Sequence, residues 1–188
     1  MTNRSNLLIR RATPADARAI AEIGVRSWQA AYRGILPAGF LAGLSITARE
    51  IAWESMLDAD EADEADDAPC WMAERNGAAI GYLASGPPRD DDVPLPAAEV
   101  YAIYVSPDAW RSGAGRALIM TAVAHWQALG IETMALWALE ANTAGRAFYE
   151  ALGWRTDGTR QQIDLGGFKA PEIRYRYGPT QRQGTNRP

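Results

Sequence analysis

The sequence predicts an α/β (α+β) domain, and three observations predict it. At 188 residues, 47% of them hydrophobic and 22% charged, the chain is long enough to bury one substantial core. Short β-type runs alternate with helical patterns. One such run, EVYAIYV at 99–105, ends at a proline and two glycines that open a helical pattern, VSPDAWRSGAGRAL over 105–118.

The elements follow in order. Leu7–Arg10 is apolar and reads as a first strand. Thr13 suits a helix N-cap, Pro14 the first helical position, and Asp16 completes a capping-box-like pattern. The helix should run to about Tyr32, since Ala17, Ile20, Ala21, Ile23, Trp28 and Ala31 keep an imperfect helical period and Gly34 ends it. Pro37–Leu44 and Thr47–Leu57 read as two further helices. The acidic stretch DADEADEADDAP, 58–69, reads as a solvated helix end plus a loop, and it shows no spaced metal-ligand pattern.

CWMAER (70–75) and AAIGYLAS (78–85) flank Asn76-Gly77, a strong hairpin signal. A Pro- and Asp-rich loop, 86–98, leads to EVYAIYV, whose β-branched and aromatic residues suit a central strand. Arg116–Leu129 should be a helix closed by Gly130. MALWALEA, 134–141, reads as a strand, although its composition also suits a helix. Asn142 caps a helix to about Leu152, stopped by Gly153, and two more strands are expected within 154–165 and 171–177. Residues 1–178 are expected to form a single domain and 179–188 a disordered tail.

Charge and cysteine use exclude several functions. A formal net charge of −4 argues against a broad grip on nucleic acid. The single cysteine, Cys70, permits no intramolecular disulfide and no cysteine-based zinc site. The N-terminus lacks the apolar length of a signal peptide, and no run approaches the roughly 20 apolar residues of a membrane span. The cytoplasm is therefore the expected location, with no membrane partner and no metal.

Gly113 and Gly115 bear on an anion. Helix N-termini carry unpartnered N–H groups and the positive dipole end, so bare backbone there can cradle a phosphate. The same glycines also suit a plain strand-to-helix turn. A nucleotide P-loop needs Lys-Ser/Thr after the glycines, and Arg116-Ala117 stands there. A dinucleotide fingerprint needs Gly or Ala where Leu118 stands.

A second stretch, LWALEANTAGRAFYEALGW at 136–154, decides between these readings. Together with VSPDAWRSGAGRAL it resembles the GNAT superfamily of N-acetyltransferases. That family's phosphate motif is Gln/Arg-x-x-Gly-x-Gly/Ala after a strand ending Val-x-Pro. Its later signature matches Asn142, Arg146, Phe148, Tyr149, Leu152, Gly153 and Trp154 in order and spacing. IRRATPADA and VRSWQAAYRGILP, 25–37, also look like this family, so the resemblance covers roughly 7–177. One position departs: Trp110 stands for the Gln/Arg, with Arg111 displaced by one.

The resemblance implies a mixed, mostly antiparallel sheet with splayed central strands, and acetyl-CoA as cosubstrate. The pyrophosphate would sit on the N–H groups of Arg111, Ser112, Gly113, Ala114, Gly115 and Arg116. The pantetheine arm would pair with the strand at Ile103, Tyr104 and Val105, through the backbone of Ile103 and Val105, and Asn142 would hold the arm. Tyr149 takes the family's position for protonating the leaving thiolate, and its ring could instead only pack. Glu99 is either the base that strips the ammonium or a solvated strand end. Glu140 reads as structural, and His125, the only histidine, as half-buried without a catalytic partner.

Trp28 and Tyr32, at i and i+4, present aromatic area on one helix face. Tyr32 would line the acceptor site and Trp28 would pack in the core or join it, with Trp137 and Tyr104 as further walls. The implied reaction is direct transfer of acetyl to a primary amine of a small molecule or a protein, in a ternary complex. The alternative is a non-catalytic acyl-CoA-binding or interaction module. A homodimer is compatible with either.

Overall fold

The computed structural model describes residues 6–62 and 68–179. Seven strands form one sheet in the order β1-β2-β3-β4-β5-β7-β6. They are β1 (Leu7–Arg11), β2 (Cys70–Arg75), β3 (Ala78–Gly86), β4 (Ala97–Val105), β5 (Thr133–Leu139), β6 (Arg155–Asp164) and β7 (Lys169–Tyr177). Neighbours pair antiparallel, except that β4 and β5 run parallel. The expected mixed, mostly antiparallel α/β sheet is the one found.

Helices cover both faces. α1 (Ala17–Ala31) and α3 (Ile46–Ala62) lie on one side, where Ile20, Ile23 and Leu57 pack with Met72 and Tyr82. On the other, α4 (Ala114–Ala128) and α5 (Thr143–Ala151) pack Leu118, Val123, Trp126 and Phe148 against Leu83, Val100, Leu136 and Tyr175. A short α2 (Ala38–Ala42) brings Leu41 to Tyr32, Leu36 and Leu139.

Most sequence signals land where expected. Asn76 and Gly77 both take positive φ, at 53° and 78°, and close the β2–β3 hairpin. Several boundaries differ by a residue or two, β4, α4 and β7 each starting two residues early, and three differences have a visible cause. A 3-10 turn at Pro14–Asp16 precedes α1, braced by Thr13 N–H donating to Asp16 Oδ2 at 2.8 Å and by Arg10 on the same carboxylate. MALWALEA is a strand, now bounded at Thr133 and Leu139, because it pairs with β4 and β7. α3 runs five residues beyond Leu57, to Ala62, since Ala and Glu there favour helix over loop. Residues 63–67 of the acidic stretch, and the tail beyond Pro179, lie outside the described residues. Among the described residues no helix is long and apolar enough to cross a membrane, and no His/Cys/Asp/Glu group could hold a metal ion.

Candidate active site

The site begins where the sheet parts. β4 and β5 pair only over Ala97–Val100 and Thr133–Leu136. Opposite the same stretch β3 shifts register, so that Ala84 faces Ala102 and Ser85 faces Val100. The surplus residue, Tyr101, makes a bulge that bends β4 away from β5. Beyond it, Ser106 N–H donates to Ile80 O at 2.8 Å, which turns residue 106 toward β3. By strand alternation the backbone groups of Ile103 and Val105 point into the wedge, where no β5 partner reaches them. That is the arrangement the resemblance implies.

One of these groups is already engaged. The Val105 carbonyl accepts from Ser27 Oγ at 2.9 Å and from Trp110 Nε1 at 2.8 Å. Trp110, the residue that departs from the family motif, thus caps the strand end with its indole while staying 47% exposed. The Val105 N–H and both Ile103 groups are what the wedge offers a ligand.

The glycine segment lies at the mouth of this wedge. Gly113 is the N-cap of α4, at φ +88°, and Arg111 also adopts positive φ, 58°. Left-handed backbone at Arg111 and again at Gly113, with Ser112 between them, coils the segment tightly just before a helix whose first N–H groups lack intrahelical partners. A Cβ built on Gly113 would meet nothing within 4 Å, so the space above the cradle is open. One on Gly115 would press Phe148 at 3.2 Å, so that glycine answers helix packing instead. The Ser112 carbonyl accepts from Arg75 at 3.0 Å, which ties the cradle to β2. Ser112 Oγ is buried without a hydrogen-bond partner, a polar atom that a phosphate or pantetheine group would suit. Arg111 and Arg116 are exposed at the rim. The cradle therefore fits a diphosphate.

α5 supplies the opposite wall. Asn142 caps this helix, its Oδ1 accepting from Gly145 N–H at 3.0 Å, which leaves its amide nitrogen to donate to a ligand. Two turns on, Tyr149 packs against Phe148, Trp154 and Tyr175 with ring centroids 5.4, 6.4 and 6.0 Å away. Its hydroxyl has no hydrogen-bond partner among the described residues. Burial, and then the neighbouring Tyr104, push it well above the usual phenol range. The group therefore stays protonated, as an acid must. Arg146, the other conspicuous residue of this motif, is a brace between Tyr175 Oη and the Glu140 carbonyl, both at 3.0 Å.

Beyond Tyr149 the cavity continues to Trp28 and Tyr32 of α1. Ala98, Val100, Ile173 and Tyr175 pack toward α4, so their strand neighbours Glu99 and Glu172 project to the other face. Glu99 is no solvated strand end: it is 1% exposed. Its Oε2 accepts from the Arg89 backbone N–H at 2.8 Å, and its Oε1 takes the Arg89 guanidinium. Arg89 in turn lies over the Tyr101 ring at 4.8 Å. Trp28 and Tyr32 meet edge to face at 5.0 Å, and Trp28 also touches Phe40 and Tyr104, so it serves core and cavity at once. Burial raises Tyr32 and Tyr104, while hydrogen bonds from Trp28 and Tyr32 pull Tyr104 back.

Trp137 completes the walls, its Nε1 donating to Asp90 Oδ2 at 2.9 Å. Under it lies Arg174, buried, bonded to Asp90, Asp92, Asp157 and Thr159 and facing the Trp137 ring at 5.5 Å. This cluster pins the 87–96 loop to β6 and β7. Sequence reasoning missed Arg89, Glu172 and Arg174. The alternation in KAPEIRYRY indicates a strand, yet nothing in it says which face meets the cavity. Two residues set aside on sequence grounds stay aside: His125 stacks between Trp71 and Trp126, and Cys70 is buried among Ile20, Leu57 and Met72.

A single cavity of about 1040 Å³ joins these parts, from Gly113 and Arg116 past Asn142 and Tyr149 to Tyr32, Glu99 and Glu172. A parted sheet with an open helix N-terminus at one end and a buried, protonated phenol near its middle is an arrangement suited to a coenzyme-dependent acyl-transfer enzyme. The sequence profile described as the acetyltransferase (GNAT) family matches residues 28–154. The probable N-acetyltransferase Rv2775 of Mycobacterium tuberculosis is 30% identical over 92% of this chain and 94% of its own length. The uncharacterized N-acetyltransferase YuaI of Bacillus subtilis is 29% identical over 76% and 77%. Among solved structures, the PaiA N-acetyltransferase of Thermoplasma acidophilum in complex with coenzyme A superposes with a TM-score of 0.74, at 19% identity over 93% of this chain and 99% of that one. The chain belongs to the GNAT family of acetyltransferases, and acetyl transfer from acetyl-CoA is its reaction.

Proposed function

We propose that the chain acetylates a primary amine directly, with acetyl-CoA and the amine bound at once in the one cavity. The continuity of that cavity, from the cradle past Tyr149 to the aromatic chamber, carries the reading. Acetyl-CoA supplies an acyl thioester whose thiolate can leave. The N–H groups of residues 111–116 hold its diphosphate, and Arg111 and Arg116 add charge-assisted contacts from the rim. Ile103 and the Val105 N–H align the pantetheine arm, and the Asn142 amide supports it from α5.

An alkylammonium, with a pKa near 10, must lose a proton before its nitrogen can attack. The carboxylates able to take it are Glu99 and Glu172, and Tyr149 gives a proton to the departing sulfur. Trp28, Tyr32, Tyr104 and Trp137 wall the acceptor end. Those walls, joined by Arg89 and Asp90 of the 87–96 loop, favour a small-molecule amine over a protein N-terminus or lysine. The single cysteine accords with the cytoplasm. The test is release of free CoA thiol across an amine panel, alongside calorimetry with CoA. CoA binding without turnover of any amine would make the chain a binding module instead.

A further inference from the structure

We infer that Glu172 is the residue that receives the acceptor amine and takes its proton, and that the acceptor is a primary amine with one positive charge on an apolar or aromatic body. This rests on the acetyl-transfer reading above.

Three carboxylates line the acceptor end of the cavity: Asp90, Glu99 and Glu172. Two are already matched. Asp90 takes the buried Arg174 at 3.0 Å and the Trp137 indole N–H at 2.9 Å. Glu99 has both oxygens on Arg89. Glu172 has only a neutral donor, Gln161 Nε2, on Oε2 at 3.0 Å, and its Oε1 has no hydrogen-bond partner among the described residues. One unmatched carboxylate calls for one cation. A second ammonium would find no further unmatched carboxylate among those that line the cavity, and would lose its hydration without a partner. The rings that Glu172 acts on are Tyr32 and Tyr104, while Trp28 and Trp137, whose rings already carry Arg49 and Arg174, add apolar wall, so this end of the cavity buries an apolar body.

The charged and titratable groups acting on Glu172 are Arg89 and Glu99, and it acts in turn on Tyr32 and Tyr104. Burial lifts its carboxyl above the usual range, against the pull of Gln161 and Arg89 and with the push of Glu99. A carboxylate so placed is a stronger base than an exposed one. The step balances. Glu172 takes one proton from the ammonium and passes it to solvent. The nitrogen forms a bond to the acetyl carbon as the carbon–sulfur bond breaks. Tyr149 protonates the sulfur and is restored by the second proton the nitrogen sheds.

The experiment uses the full chain, phenethylamine as the monocation and spermidine as the polycation. Wild type should prefer phenethylamine in kcat/KM by about tenfold or more. Glu172→Gln, close in shape, should lower kcat/KM for phenethylamine by about 10²–10³-fold and erase the loss of rate at low pH. Glu172→Asp should restore that pH limb and part of the rate. Melting temperature and CoA affinity should hold in both, which removes folding as a cause. Glu172→Gln within threefold of wild type with its pH limb intact, or a preference for spermidine, would overturn the assignment. If wild type turns over no amine, direct transfer fails, and Glu172 is judged by calorimetry of phenethylamine with the CoA-bound protein. Affinity at least tenfold weaker in Glu172→Gln upholds it, and equal affinity sinks it.

Discussion

Replacing Tyr149 by phenylalanine separates a proton donor from a packing ring. The ring touches Phe148, Trp154 and Tyr175, and all three contacts survive the change. Because no hydrogen bond ends on the hydroxyl, its removal strands no partner, and stability should move by less than about 1 kcal/mol. CoA affinity should also hold, because the cradle and the strand edge are untouched. The hydroxyl is protonated at all working pH values, so its loss removes a donor present in every enzyme molecule. The rate should fall by about 10²–10⁴-fold, or roughly 3–5 kcal/mol of barrier, with KM for acetyl-CoA nearly constant. Steady-state thiol release gives kcat and KM, and a melting curve and CoA calorimetry accompany them. A kcat within a few-fold of wild type, in a protein that melts and binds CoA normally, would refute the acid role.

Three further outcomes are expected. Gly113→Ala should cost about 1–2 kcal/mol in stability from its left-handed backbone, and Gly113→Glu should in addition weaken CoA binding by about tenfold or more, read by calorimetry. Equal CoA affinity in the two variants would remove the diphosphate from the cradle. Cys70→Ser should keep kcat and show no acetylated Cys70 by mass spectrometry, while losing about 1–3 kcal/mol because a hydroxyl enters an apolar cluster. Asp157 is held down at about 2: burial raises it, but Thr159 and the guanidinium groups of Arg176 and Arg174 outweigh that. This depressed carboxyl stabilises the fold above pH about 4 and loses its effect as pH falls toward 2, so Asp157→Asn should destabilise by about 1–2 kcal/mol at pH 7 and by almost nothing near pH 2 in urea titrations.

Local chemistry made the frame readable. Asn76-Gly77, the Thr13-Pro14-Ala15-Asp16 start and the glycines before α4 each encode a backbone angle or a cap, and such signals act within a few residues. The wedge was readable only through the family resemblance, because its cause is a bulge at Tyr101 set by pairing with β3. The acceptor end was least readable. Glu99 opens a strand, yet its burial depends on Arg89 ten residues earlier folding back over it. Glu172 and Arg174 lie more than seventy residues from the loop and strand they face. α3 runs to Ala62 as the solvated helix end that the acidic stretch suggests, but where that end gives way to loop is not legible, because Ala and Glu favour helix while Asp does not.

The short β4–β5 ladder has a mechanical consequence. Four paired positions are the ladder joining two leaves of the sheet, β1 to β4 on one side and β5, β7 and β6 on the other. A coenzyme bound as proposed, between Ile103 on one leaf and Asn142 beyond the end of the other, would act as a splint across that seam. Ligand that binds only the folded form stabilises it by mass action. A coenzyme bound across the seam would hold the two leaves at a fixed spacing, and the rise in melting temperature with CoA measures that hold.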